Sequence, residues 1–227
     1  MAIAIRGTPT TATAVNGADV TITLPSGMLQ NDVVYVIASC TDLSGLTEIG
    51  GPTWTQLLYV DAGSAFSSPL RAAIFRKVMG AVPDVSLSIQ VLGNADDAAA
   101  AIAVAFSGVN PSTPEDATTT SATGNSTNPD PPNITSVTGG AVLLAAAASR
   151  ANDSAVSPPT AYTAIANTLA SDDVDKTSAA MAYRLSVNPG VETPGPFQSW
   201  ATGRWIAFSV MLRPYLAKPK SFGVMVG

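Results

Sequence analysis

Short apolar runs separated by polar clusters recur along the whole chain. The polar clusters are rich in Gly, Pro, Asn, Asp and Ser, and the apolar runs lack the spacing of an amphipathic helix. The pattern therefore predicts an all-β protein. The predicted strands span residues 2–6, 20–24, 33–41, 54–60, 70–78, 85–91, 99–107, 141–149, 162–169, 179–187, 197–201 and 205–212.

The predicted strands are of two kinds. Residues 20–24 and 85–91 alternate apolar with polar, mainly hydroxyl-bearing, residues, which indicates one packed face and one face in water. Residues 33–40 and 141–148 are apolar almost throughout, which indicates strands covered on both faces. The alanine runs inside two of the strands have helical propensity. We assign them to strands because Gly, Asp or Pro brackets each run within the length of a strand.

The order of segments is similar in the two halves of the chain. Such self-similarity indicates duplication, and two copies of a unit of about four or five strands predict a two-sheet β-sandwich. The matching segments are 32–40 and 140–149, 52–57 and 159–165, 72–78 and 180–185, and 102–106 and 205–210.

The predicted organisation is a single β-sandwich domain over residues 1–214, with pseudo-repeats at about 20–111 and 134–214. Aromatic residues are expected at equivalent core positions of the two copies, because burial is the usual role of such side chains. The predicted pairs are Trp54 with Tyr162, Phe75 with Tyr183, and Phe106 with Phe208.

Residues 112–133, between the repeats, form a predicted linker. They are rich in Pro, Thr, Ser, Asn and Asp and show no apolar period, so they cannot build a core of their own. Two interpretations are open. The linker is an exposed crossover between the halves, or it is an arm that lies on a neighbouring chain.

Residues 215–227 form a predicted tail with a basic hinge and an apolar tip. No acidic residue follows Glu192 in the sequence. A free tail with this composition is unexpected, so we predict that it docks on another subunit. The predicted contact residues are Phe222, Val224 and Met225, with Lys218 and Lys220 in the hinge.

The composition excludes several classes of function. The 227 residues include no His and one Cys, which removes imidazole catalysis, the usual zinc ligands and an intrachain disulfide. Charged residues make up 12%, and the net charge of −5 argues against binding to nucleic acid phosphates. No apolar run is long enough for a membrane-spanning helix, and residues 1–6 lack the layout of a signal peptide. We therefore expect neither nucleic acid nor membrane as a partner.

Candidate binding residues are few. The acidic clusters 96–97 and 172–175 lie in predicted loops, but neither has the spacing of an EF-hand, so solvated turns are favoured and no metal or cofactor is predicted. Trp200 and Trp205 flank a short loop and are the candidates for an aromatic platform that binds a sugar, although burial is the commoner role. No pair of carboxylates suited to glycoside hydrolysis is recognisable, and no catalytic residue is predicted.

Five segments carry a resemblance to a known group of proteins. They are TATAVNGADVTITLPSG at 11–27, NDVVYV at 31–36, WTQLL at 54–58, FSGVNP at 106–111 and PEDA at 114–117. Over most of residues 10–214 the chain resembles β-sandwich proteins encoded among the structural genes of tailed bacteriophages and in bacterial surface-type proteins. The resemblance implies a jelly-roll-like virion protein and carries over no functional residue.

The expectation from sequence is a non-enzymatic capsid decoration, or cement, protein on the surface of a phage particle. Its expected partners are the major capsid protein and copies of itself, for example in a trimer, after assembly in the cytoplasm of the host bacterium. The alternative is a carbohydrate- or receptor-binding domain of a tail fibre or baseplate, which would use the Trp200 and Trp205 platform.

Overall fold

The computed structural model describes residues 2–41, 46–49, 53–63, 69–91, 97–151, 156–171, 175–185 and 188–216. Regular structure in these residues consists of β-strands alone, so the all-β prediction is confirmed. The strands are β1 (Ala4–Ala14), β2 (Val20–Thr23), β3 (Val33–Cys40), β4 (Leu46–Ile49), β5 (Thr55–Asp61), β6 (Arg71–Val78), β7 (Ser86–Val91), β8 (Ala99–Ser107), β9 (Thr120–Ser126), β10 (Ile134–Ser136), β11 (Val142–Ser149), β12 (Thr163–Ser171), β13 (Lys176–Leu185), β14 (Gly190–Glu192) and β15 (Gly203–Leu212).

Strands β1 to β8 form the first half of the sandwich. One antiparallel sheet has the order β1-β8-β3-β6-β5, and a smaller sheet has the order β2-β7-β4. Successive strands pass from one sheet to the other at every connection except that between β5 and β6. The chain of this half therefore winds back and forth between its two sheets.

Strands β9 to β15 repeat the same winding. Their large sheet has the order β9-β15-β11-β13-β12, and their small sheet pairs β10 with β14. The two halves correspond strand by strand when β1 is matched to β9, β3 to β11 and β8 to β15. Only β4 has no counterpart among the described strands. The prediction of two similar halves is therefore confirmed.

The two large sheets pack face to face and form the central core. β1 lies over β12, and β3 and β8 contact β13. Because side chains alternate along a strand, Tyr35 and Ile37 point into the central core, whereas Val36 points to the outer side of its sheet. Leu144 and Phe208 enter the central core from the second half.

Each large sheet is also covered on its outer face. The small sheet of the first half buries Ile22 and Ile89 there, and loops of the second half bury Phe197 and Trp200. All residues of β3 and β11 are buried, whereas β2 alternates buried and exposed residues, as predicted. The alanine runs lie in strands because pairing on both sides, in β8 and in β11, overrides their helical propensity.

The duplication extends to irregular features. β5 and β12 each carry a β-bulge after their second residue. Trp54 and Tyr162 immediately precede these strands, and each ring lies below a cation. Lys77 Nζ is 5.9 Å from the centroid of Trp54, and Arg184 Cζ is 5.1 Å from that of Tyr162. The predicted pairing of Trp54 with Tyr162 is confirmed.

The other two predicted aromatic pairs are wrong. Residue type alone does not fix the register: Phe75 and Tyr183 are one position out of step, which puts them on opposite faces, and Phe106 and Phe208 are four positions out of step. The strand pairing gives Ala182 as the counterpart of Phe75, Arg76 of Tyr183, Leu212 of Phe106 and Ile102 of Phe208.

Two further sequence predictions are corrected by the strand pairing. The predicted linker 112–133 contains β9, which pairs with β15 at the edge of the second large sheet. Its polar sequence gave no strand signal, because an edge strand is held mainly by backbone hydrogen bonds. Residues 197–201 are not a strand; Phe197 and Trp200 are buried from a loop.

Candidate interaction surface

One end of the sandwich carries most of the exposed large apolar side chains. It is the end where β3 and β11 begin and where β6, β8, β13 and β15 finish. Nine large hydrophobic residues are exposed in the described part of the chain, and seven of them lie here. Clustering of this kind, rather than scatter, is typical of an interaction site. We call it the apolar end, defined by Leu29, Val82, Val85, Val137, Leu185, Tyr215 and Leu216.

The exposed positions follow from how the connections at this end are anchored. Val82 and Val85 lie between β6 and β7 and are 86% and 77% exposed. Their connection is held by polar contacts: Leu24 N donates to Val85 O at 2.9 Å, and Lys77 pairs with Asp84. The two valine side chains therefore contribute little to folding and are available to a partner.

A groove of about 320 Å³ opens at the apolar end. Its apolar walls include Leu29, Val109, Pro111 and Tyr215, and its polar wall includes the ion pair between Arg6 Nε and Asp32 Oδ2 at 3.1 Å. The volume is at the lower end of the roughly 300–1,000 Å³ range of small-ligand sites. The groove therefore has room for one or two side chains.

Backbone hydrogen bonds fix the chain segment that borders this groove. Tyr215 N donates to Gly108 O at 2.7 Å, and Asn110 N donates to Arg213 O at 2.9 Å. The left-handed backbone of Gly108 (φ +76°) places it against Ala2 O, where a Cβ would come within 2.3 Å. Only glycine fits this close approach. The hydrogen bonds between Tyr215 and Gly108 and between Asn110 and Arg213 then hold residues 213–216 at the rim of the groove.

A buried carboxylate joins three connections at the apolar end. Asp116 Oδ2 accepts hydrogen bonds from Val137 N at 2.7 Å and Thr138 N at 2.9 Å. Its Oδ1 accepts from Arg213 Nε at 3.1 Å. Asp116 thereby ties the connection before β9 to the turn before β11 and to the end of β15.

The pKa of the Asp116 carboxyl is set by opposing effects. Burial raises the pKa, but the hydrogen bonds from Thr138, Val137 and Arg213 outweigh burial and hold it below the ordinary value of 3.8. The ionised form therefore stabilises the fold above the unfolded-state pKa. This contribution is lost as the pH falls through the lower, folded-state pKa.

We predict that the free energy of unfolding falls on acidification in part because Asp116 is protonated. Urea unfolding from about pH 6 to about pH 2 measures this. The variant Asp116→Asn cannot lose this charge, so its stability should fall less steeply over the same window. Equal slopes for the two proteins would contradict the assignment.

A second polar network lies beneath the apolar end, at the edge of the central core. Tyr35 Oη donates to Glu115 Oε1 at 3.0 Å, and Arg76 Nε lies 3.4 Å from the same oxygen. Burial, followed by the charge of Glu115, raises the pKa of the Tyr35 hydroxyl well above 10.0. Tyr35 therefore remains a neutral donor and fixes Glu115, the neighbour of Asp116.

The structure places the candidate sugar platform in a core. Trp200 and Trp205 are 4% and 8% exposed. The ring of Trp205 is covered by Gly124, where a Cβ would come within 2.3 Å of the indole, and its Nε1 donates to Ser126 Oγ at 2.9 Å. Trp200 packs edge-to-face on Phe197. Neither indole presents a free face to a sugar, so the platform prediction is corrected to outer-core packing.

The acidic clusters give no metal site in the part of the chain that the structure describes. Asp175 pairs with Arg150, and Asp97 is buried, while residues 96 and 172–174 lie outside the described residues. Among the described residues, no group of three or more Cys, Asp or Glu side chains is placed to hold a metal ion. The same residues contain no helix long and apolar enough to cross a membrane.

The predicted tail contacts lie outside the described residues, which end at Leu216. These contacts are Phe222, Val224, Met225, Lys218 and Lys220.

Sequence reasoning missed the residues that organise the apolar end. Glu115 and Asp116 occur in the PEDA segment of the resemblance, but no role was assigned to them. The available signal was weak, because Glu115 and Asp116 are one of three adjacent acidic pairs in the sequence, beside those at 96–97 and 172–173.

Comparisons with protein-family models, with curated proteins and with solved structures gave no match to this chain.

Proposed function

We propose that the protein is a non-enzymatic structural protein of a tailed-bacteriophage particle. Its role is that of a capsid decoration, or cement, protein, which binds the exterior of the capsid and stabilises it. The proposed partner is the major capsid protein, and the proposed contact surface is the apolar end.

The observation that carries this proposal is the concentration of exposed apolar side chains at one end of the sandwich. Burial of apolar surface contributes about 25 cal/mol per Å², and the seven residues of the apolar end gain this contribution only when a partner covers them. Asp116 and the backbone bonds of Tyr215 hold the connections around them in place. A preorganised surface of this kind loses less entropy on binding.

The duplicated architecture also suits a cement. Both large sheets are covered on both faces, which leaves the ends and edges of the sandwich for contacts. Jelly rolls are common in viral capsid proteins, although they also occur in lectins and enzymes. The fold is thus compatible with the proposal, and the resemblance of residues 10–214 favours the phage setting.

We predict that negative charges at the apolar end weaken binding to capsids. Purified protein is co-sedimented with capsids stripped of this protein, and the wild type should bind in a fixed ratio to the capsid subunits. Val82→Asp combined with Val137→Asp should weaken binding at least about tenfold, because each aspartate would be desolvated at the interface. Both positions are exposed, so folding should be unaffected.

The control is Tyr59→Asp, an exposed apolar residue on the edge strand β5, toward the end of the sandwich opposite the apolar end. It should bind as the wild type does. Wild-type protein that fails to sediment with stripped capsids, or a double variant that binds normally, would contradict the proposal. Binding to a glycan array in place of capsids would favour the tail-fibre or baseplate alternative.

A further inference from the structure

We infer that the groove at the apolar end receives residues 217–227 of a second copy of this chain. The protein then self-associates by exchange of these segments. This inference concerns contacts between copies in solution, and it does not depend on whether the partner of the apolar end is a capsid.

The segment has the composition of a ligand for this groove. It contains Phe222, Val224, Met225 and Val226 within five residues. In an extended chain alternate side chains share a face, so Phe222 and Val224 would enter the groove together. Their number matches a groove with room for one or two side chains between the apolar walls of Leu29 and Val109.

Charge also favours the pairing. The segment contains Lys218 and Lys220 and no acid, a formal charge of +2. The chain has 11 Lys and Arg in total, so residues 1–216 hold the other nine against all 16 Asp and Glu, a formal charge of −7. Opposite net charges attract the segment to the body of another copy.

The position of Tyr215 favours an occupant from a second copy over the chain's own segment. Tyr215 is itself a wall of the groove, and its backbone is fixed to Gly108. Pro219 follows Lys218, and the residue before a proline favours an extended backbone, which disfavours a sharp return of the segment to its own groove. At about 3.3–3.6 Å per residue, 11 residues can span up to about 40 Å, which is enough to reach the groove of a second copy.

The first experiment measures the oligomeric state in solution, without capsids. Sedimentation velocity should show an oligomer for the full chain and a monomer for a chain that stops at Leu216. Leu29→Lys should dissociate the oligomer, because the substitution puts a positive charge in the groove wall, where it repels the basic segment. Val82→Lys is the matched control, since Val82 is exposed at the same end but does not line the groove. Thermal unfolding of each variant verifies that it is folded.

The second experiment tests whether the contact forms between copies. A labelled peptide of residues 217–227 should bind the truncated chain, and Phe222→Ser in the peptide or Leu29→Lys in the protein should weaken binding at least about tenfold. Mixing full-length Leu29→Lys with full-length Phe222→Ser should restore association, because one intact groove then meets one intact segment. An oligomeric truncated chain, a monomeric full chain, or a mixture that stays monomeric would overturn the inference. A truncated chain that is monomeric and binds capsids normally would support both the inference and the proposed function, whereas a full chain that is monomeric and binds capsids normally would overturn the inference alone.

Discussion

Replacement of Asp116 by alanine is expected to lower the free energy of unfolding by about 3 kcal/mol. The substitution leaves Val137 N and Thr138 N without their acceptor and removes the partner of Arg213. The Asp116 side chain is fully buried, whereas that of Arg213 is about one-third exposed, so water solvates the guanidinium more readily than it replaces the carboxylate. Urea unfolding at neutral pH measures the loss.

Two variants show whether the loss comes from the carboxylate. Asp116→Asn keeps an oxygen acceptor without the charge and should be intermediate in stability. Ser136→Ala removes one hydrogen bond of 3.3 Å to the same carboxylate and should cost less than about 1 kcal/mol. If Asp116→Ala unfolds within about 1 kcal/mol of the wild type, the carboxylate does not hold the three connections together.

Replacement of Phe106 by alanine is expected to cost about 3–5 kcal/mol. Phe106 is 1% exposed in the central core, edge-to-face with Tyr35 of its own half and with Tyr183 of the other half, at centroid distances of 6.3 and 6.4 Å. The cavity would therefore open between the halves. Because both halves share this core, we expect a single unfolding transition that moves to lower denaturant concentration.

The matched control is Phe75→Ala, which opens a cavity in the outer core of the first half alone. It should cost a similar amount and should also leave one transition, since the first half cannot unfold without exposing the central core. Two separate transitions in the Phe75 variant would show that the halves unfold independently. A cost below about 1.5 kcal/mol for Phe106→Ala would show that the central core collapses around the missing ring.

The candidate surface could be predicted only in part. The tail residues Phe222, Val224 and Met225 were recognised from composition, and their docking stays a prediction. The acceptor groove could not be recognised, because Leu29, Val109 and Tyr215 are far apart in sequence and are ordinary residues in three separate loops. The burial of Trp200 and Trp205 was equally out of reach, since a loop residue carries no periodicity that reports its face.

Sequence by itself determined the class of the fold, most of its strands and its duplication. These properties depend on local alternation and on the order of segments, which a single chain displays directly. The continuous apolar character of β3 and β11 even indicated sheets covered on both faces. The order of segments also matched Trp54 with Tyr162 correctly, because each of them directly precedes a recognisable strand.

Only the tertiary structure decided the register, the edge strand β9 and the grouping of the connections. Register depends on backbone hydrogen bonds between distant strands, so matching by residue type misplaced Phe75 and Phe106. β9 has little apolar pattern because pairing with β15 holds it. The apolar end exists because the winding of the strands between the sheets brings Leu29, Val137 and Tyr215 to one end of the sandwich, and no local property of the sequence predicts that they lie close together.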